Sequence, residues 1–151
     1  MEPRQLKKVK TPPIPIGWRE WISLPELGIE RIKAKVDTGA RTSCLHAFNF
    51  QPFEENDKKL IRFDIHPIQH DFNTVISCVA DLTDRRLVTD SGGHTDLRYV
   101  IKTPFMIAGQ THSIEITLAE REDMLFRMLL GRSALRKRFL VNPGRSRSEE
   151  R

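Results

Sequence analysis

The residues best suited to chemistry in this sequence stand at the ends of apolar runs. Asp37 follows the alternating Ile32, Ala34 and Val36 and precedes Thr38-Gly39-Ala40, so a carboxylate falls where a strand turns back. In such a turn backbone N–H groups and the Thr38 hydroxyl orient the acid, while Gly39 allows close backbone approach. A carboxylate held in this way can take a proton from water or return one. The same triplet also builds ordinary turns, so its meaning depends on its company. Met128-Leu129-Leu130-Gly131-Arg132 is a second apolar strand end running into a glycine. Between the two, Asp90-Ser91-Gly92-Gly93-His94 is polar and glycine-rich, fitting the tip of a mobile hairpin.

These segments need strands to hold them. From Arg31 to Val36 apolar and basic residues alternate with the period of a half-buried strand, and similar alternations occur at Ile61/Phe63/Ile65, Leu97/Tyr99/Ile101 and Ile114/Ile116/Leu118. Phe105-Met106-Ile107 followed by Ala108-Gly109-Gln110 predicts a hairpin turn. The one good helical candidate follows Gly131, with Ser133 as cap and about two turns through Ala134, Leu135, Arg136 and Lys137. Many short strands and one late helix predict an all-β domain, a small closed barrel with one short C-terminal helix.

Composition bounds the class. The 151 residues suit one domain with a single core, and no apolar window is long enough for a membrane-spanning helix. The first ten residues are basic but lead into Pro12-Pro13-Ile14-Pro15, unlike the apolar region of a secretion signal, so a cytoplasmic location is expected. The net charge of +5 is carried by the termini, because residues 1–10 hold four basic side chains and residues 132–151 hold seven. The expected layout is a basic, proline-rich extension over 1–16, the domain over 17–142, and a disordered basic tail over 143–151. No helix-turn-helix, zinc finger or aromatic single-strand platform is present, so nucleic acid is not expected as a partner.

The order of acid turn, glycine-tipped hairpin, Leu129-Leu130-Gly131 and short helix resembles a retropepsin-like aspartic protease over roughly residues 30–142. Within that superfamily, Gly17-Trp18-Arg19-Glu20-Trp21, Leu24-Pro25-Glu26-Leu27-Gly28-Ile29, Ala34-Lys35-Val36-Asp37-Thr38-Gly39-Ala40-Arg41-Thr42-Ser43 and Leu45-His46-Ala47 resemble the bacterial RimB-type family. That family has also been labelled an ATP-dependent zinc protease, and it is associated with RimK-type ATP-grasp ligases that add glutamates to a ribosomal protein. The resemblance implies a peptidase that needs two carboxylates sharing one proton. The sequence holds a single Asp-Thr-Gly, so the pair implies Asp37 from each of two chains in a two-fold homodimer. The resemblance further implies that Thr38 holds the turn across the axis, that Gly39 presents backbone to the water, and that Leu129 and Leu130 pack beneath. Ser91, Gly92 and Gly93 become a flap over substrate. Viral members commonly pair an acid after the Asp-Thr-Gly-Ala with an arginine after the second motif, whereas here the positions are Arg41 and Arg132. Either nearby acids compensate, or these arginines face the cleft and bind an acidic peptide.

Other chemistry is less well supported. Cys44, His46, His66, His70, Cys78, His94 and His112 are scattered. The His66/His70 spacing contains Pro67 and lacks the glutamate of a metalloprotease helix, so no metal and no cofactor are expected. No phosphate-binding loop is present, so any ATP dependence belongs to a partner ligase. Cys44 and Cys78 read as buried thiols. Trp18 and Trp21 are either core residues or part of a contact surface. The rival to an enzyme is a protease-shaped module that binds or regulates the ligase.

Overall fold

The computed structural model describes residues 12–89 and 92–147. In chain order the strands are β1 (Ile14–Ile16), β2 (Arg19–Leu24), β3 (Ile29–Val36), β4 (Ser43–His46), β5 (Phe48–Glu55) and β6 (Lys58–Ile65). They continue with β7 (Ile76–Thr89), β8 (Thr95–Ile107), β9 (Gln110–Ala119), β10 (Met128–Leu130) and β11 (Phe139–Val141). A 3-10 turn spans Pro25–Leu27, and the one α-helix among the described residues, α1, spans Arg132–Leu135. No helix is long and apolar enough to cross a membrane among the described residues.

Six strands close a barrel in the order β2-β3-β10-β4-β9-β8, with β2 meeting β8 at Ser23 and Met106. The remaining strands, β7, β6 and β5, extend as a sheet from β8. The all-β closed barrel with one short helix is therefore observed. Period-2 alternation fills the core, which the barrel shares with the β6 face of the extension: Ile32 and Ala34 are fully buried, as are Ile61, Phe63 and Ile65. Ile116, Met128 and Leu130 join them at 0% exposure. Ile107 pairs with Gln110 across Ala108 and Gly109, both at positive φ, which is the primed two-residue turn expected there.

Three local expectations are corrected. The helix begins earlier and is one turn long: Gly131 stands at its N-cap position, no side chain caps it, and Lys137 is already left-handed at φ 64°. Ser133 instead donates its backbone N–H to the Arg41 carbonyl at 3.0 Å. Leu97 lies 52% exposed, not on a buried face with Ile101, because its part of β8 belongs to a hairpin that leaves the barrel.

The third correction concerns the domain ends. β1 and β11 form a parallel pair outside the barrel sheet, so Ile14–Ile16 belong to the folded unit, and Ile16 is fully buried. Residues expected to begin a disordered tail are also docked. Trp18 and Arg19 donate backbone N–H groups to the carbonyls of Arg145 and Ser146 at 2.9 and 3.2 Å. Strands of three residues such as Ile-Pro-Ile are too short to show a period, which is why the pairing is invisible in sequence. The rest of the predicted extension and tail, residues 1–11 and 148–151, lies outside the described residues.

Candidate active site

Two strands bring the motifs together. β3 and β10 run parallel with Val36 opposite Leu130, so Asp37 and Gly131 emerge side by side. The Asp37 backbone N–H donates to the Leu130 carbonyl at 2.9 Å. The turn then closes on itself: the Gly39 N–H donates to Asp37 Oδ1 at 2.9 Å and the Ala40 N–H to the Asp37 carbonyl at 3.2 Å. Asp37 is half-buried, Thr38 and Gly39 are exposed, and Ala40 is half-buried. Among the described residues no cation pairs with the Asp37 carboxylate, and its second oxygen has no partner.

The chain crosses itself here. Gly131 is extended, at φ −91° and ψ 176°, so its glycine is required by space and not by conformation. A Cβ there would fall 2.5 Å from the carbonyl carbon and oxygen of Thr42. Hydrogen bonds lock the crossing: the Arg132 N–H to Ala40 carbonyl at 2.8 Å, and the Gly131 N–H to Ser43 Oγ at 3.1 Å. Leu130 is fully buried under the turn while Leu129 is only half-buried. Neighbouring strand residues face opposite sides, so the two leucines do not pack one surface.

Arg132 and Arg41 take different positions. Arg132 Nη1 donates to the Thr38 carbonyl at 3.0 Å, bracing the acid turn from behind. Arg41 is exposed and lines a cleft of about 570 Å³ with Thr42, Ser133, Arg86, Val88 and Thr117. Glu115 also lines the cleft, but its carboxylate accepts from Arg86 at 3.2 Å, with Asp84 accepting from the same guanidinium at 2.8 Å, and among the described residues no carboxylate pairs with Arg41 or Arg132. Arg86 had no mark in the sequence. It reaches the cleft because a bulge between Leu82 and Asp84 shifts the β7–β8 register and moves Arg86 and Val88 to the other face.

The β7–β8 hairpin extends beyond the barrel as far as the Thr89–Thr95 pair, whose hydroxyls are 2.9 Å apart. Gly92 and Gly93 stand at its tip, Gly93 at φ 85°. Ser91, the other predicted flap residue, lies outside the described residues.

Of the histidines and cysteines, His46 and His66 come together, their rings stacked 6.1 Å apart beside Phe48. Among the described residues, no group of three or more His, Cys, Asp or Glu side chains could hold a metal ion. His46 is fully buried; its Nδ1 accepts the Arg121 N–H at 2.9 Å, and burial, with Arg127 nearby, pulls its pKa down. His66 stacks on Phe48 at 4.6 Å, while His70 is an exposed turn residue at φ 61°. Burial raises the Cys44 thiol above its ordinary range and pushes Cys78 up to about 12, the opposite of what a thiolate nucleophile requires.

Comparison with known proteins decides the family. The family model described as "Retropepsin-like aspartic endopeptidase RimB" matches residues 15–151. The chain belongs to the RimB-like family. A protein from Desulfotalea psychrophila named "Probable alpha-L-glutamate ligase" is 44% identical over 128 residues, covering 85% of this chain and 28% of its own length. A protein of the same name from Shewanella pealeana is 41% identical over 131 residues, 87% of this chain and 29% of its own. This RimB-like chain thus spans under a third of the length of these relatives. A Legionella pneumophila crystal structure of unknown function shares the fold at a TM-score of 0.74 and 22% identity, over 88% of this chain and 95% of that one.

Proposed function

We propose that the chain is an aspartic endopeptidase whose catalytic pair is Asp37 from two copies related by a two-fold axis. The observation that carries this reading is the half-used acid turn: one Asp37 oxygen is held by Gly39, the other has no partner among the described residues, and the turn is braced on its inner side only. A single Asp37 cannot make the pair, and a two-fold axis beside the turn supplies the second from an identical surface. The exposed Thr38 hydroxyl, which makes no bond within the chain among the described residues, is free to cross that axis.

Two carboxyls a few ångströms apart hold one proton between them. The ionised Asp37 takes a proton from a water whose oxygen attacks the peptide carbonyl carbon, while the protonated Asp37 gives its proton to the carbonyl oxygen. The result is a neutral gem-diol. On collapse a diol hydroxyl returns its proton to the now-ionised carboxylate, the C–N bond breaks, and the departing nitrogen takes the proton from the other carboxyl. Acid and amine products leave with the pair again holding one proton. The Gly39 backbone faces the water, and Leu130 supports the turn from the core.

Arg41, exposed at the cleft and without a carboxylate partner among the described residues, with Arg132 beside the turn, supports an acidic substrate such as a glutamate-rich peptide, Arg86 being already paired with Asp84 and Glu115. The hairpin carrying Ser91, Gly92 and Gly93 serves as the flap that excludes water. Such a substrate fits a cytoplasmic protein working beside an ATP-grasp ligase. The test is cleavage of glutamate-rich peptides by wild type and Asp37→Asn, with and without EDTA. EDTA-insensitive cleavage lost in Asp37→Asn is expected; loss to EDTA with rescue by zinc would overturn it.

The relatives' names favour a second reading, a non-catalytic module that binds or regulates a peptide ligase. Under it, Asp37→Asn leaves ligase regulation intact and the wild type cleaves nothing at any pH.

A further inference from the structure

Away from the acid turn, β2, β3 and the loop after β6 enclose a groove of about 640 Å³. Its walls are apolar: Trp21, Pro67, Ile68 and Ile76 line it, with Ile68 51% exposed. Its rim is cationic. The Arg31 guanidinium lies 4.1 Å above the Trp21 ring and the Lys33 ammonium 5.1 Å from the ring centre. Among the described residues neither cation has a carboxylate partner, and the buried Trp21 indole N–H has no acceptor. At roughly 3.3 Å per residue, the chain from Arg31 to Asp37 sets the Arg31 end of this groove about 20 Å from the acid turn and the Lys33 end about 13 Å from it.

We propose that this groove is a binding site, separate from the Asp37 turn and the Arg41 cleft, for an acidic peptide segment of a partner protein that inserts one apolar side chain beside Trp21. Two unpaired cations on one wall call for carboxylates, and the apolar walls call for an aliphatic or aromatic anchor. Arg31 covers one face of Trp21, and the other apolar walls, Pro67, Ile68 and Ile76, give a base nothing aromatic to stack on, which favours a peptide over a single-stranded nucleic acid. The site requires no catalysis, so it stands whether or not Asp37 cleaves peptides.

The experiment is a fluorescence titration in a Trp18→Phe background, leaving Trp21 as the sole tryptophan. Asp37→Asn is included so that no probe is cleaved. The probes are a Glu-Glu-Leu-Glu-Glu peptide, the same peptide with Gly for Leu, and a poly-U oligonucleotide. The leucine peptide is expected to change Trp21 emission saturably. Arg31→Ser with Lys33→Ser should weaken it by about tenfold or more, as expected for losing two charge-assisted contacts, while Arg41→Ala should not. Equal binding of the glycine peptide, tighter binding of poly-U, or unchanged binding by the double variant would each overturn the proposal. Both replaced cations are at least partly exposed, so folding is not at stake. Should Trp18→Phe unfold the protein, calorimetry on the Asp37→Asn chain also carrying Arg41→Ala, which weakens the cleft for the same peptides, decides by whether Arg31→Ser with Lys33→Ser removes the binding that remains.

Discussion

Replacing Gly131 with alanine tests the crossing that holds the acid turn. At φ −91° and ψ 176° alanine is conformationally at ease, and the lost freedom of the unfolded chain alone would stabilise the variant by about 0.4–1 kcal/mol. Space opposes it. The new methyl would lie 2.5 Å from the Thr42 carbonyl carbon and oxygen and 2.9 Å from its nitrogen, whereas carbon contacts relax at about 3.5–4 Å. One strand must therefore move by about 1 Å. Its anchors are the Arg132-to-Ala40 and Ser133-to-Arg41 backbone bonds at 2.8 and 3.0 Å, and the Gly131 bond to Ser43 at 3.1 Å. Overpacking of this kind costs about 1–3 kcal/mol, and weakening one or two of those bonds adds about 1 kcal/mol each. After the entropy gain, a net loss of about 1–4.5 kcal/mol is expected in urea unfolding at pH 7. A Gly131→Ala chain as stable as wild type, or more so, would refute the reasoning.

Other perturbations follow from the same contacts. With Cys78 at about 12, only about one thiol in ten thousand is ionised at pH 8. Cys44 is likewise raised. Iodoacetamide should label both only as fast as the chain unfolds, and rapid labelling of native protein would contradict their burial. Asp64 accepts from Ser77 Oγ at 2.6 Å and from Asn49 at 2.9 Å, and these bonds depress its pKa. A depressed carboxylate stabilises the fold above its unfolded pKa of about 3.9 and loses that contribution as pH falls through the folded value. Ser77→Ala should therefore be less stable than wild type at pH 7, with the gap closing in strong acid. A pH-independent gap would assign the loss to packing. Gly17→Ala drives a methyl to 2.6 Å from the Arg145 and Ser146 backbone. It should free the 145–147 segment to trypsin, and unchanged proteolysis would argue against that docking.

The barrel was legible where burial imposed a period. Ile32/Ala34/Val36, Ile61/Phe63/Ile65 and Ile114/Ile116/Leu118 all line the core, because one face of each strand meets the interior along its whole length. Leu97 broke the rule since its strand outruns the barrel. Arg86 stayed hidden because a bulge, which no local residue announces, decides which face it occupies. The meeting of Asp37 with Gly131 is a long-range parallel pairing, suggested by motif order and unreachable from either segment alone. Ser133 misled because a good capping residue lay just inside the helix, two positions after a glycine whose extended backbone already starts it. The Trp21 groove needed two separated segments, β2–β3 and residues 67–76, neither unusual by itself.

The central claim is that one active site needs Asp37 from two chains. Wild type mixed with an equal amount of Asp37→Asn, left to exchange subunits, gives wild-type pairs in only about a quarter of dimers. Cleavage of a glutamate-rich peptide should then fall to about half of that shown by the same wild type alone. Activity unchanged by the added variant, at concentrations where light scattering shows mixed dimers, would contradict a shared pair.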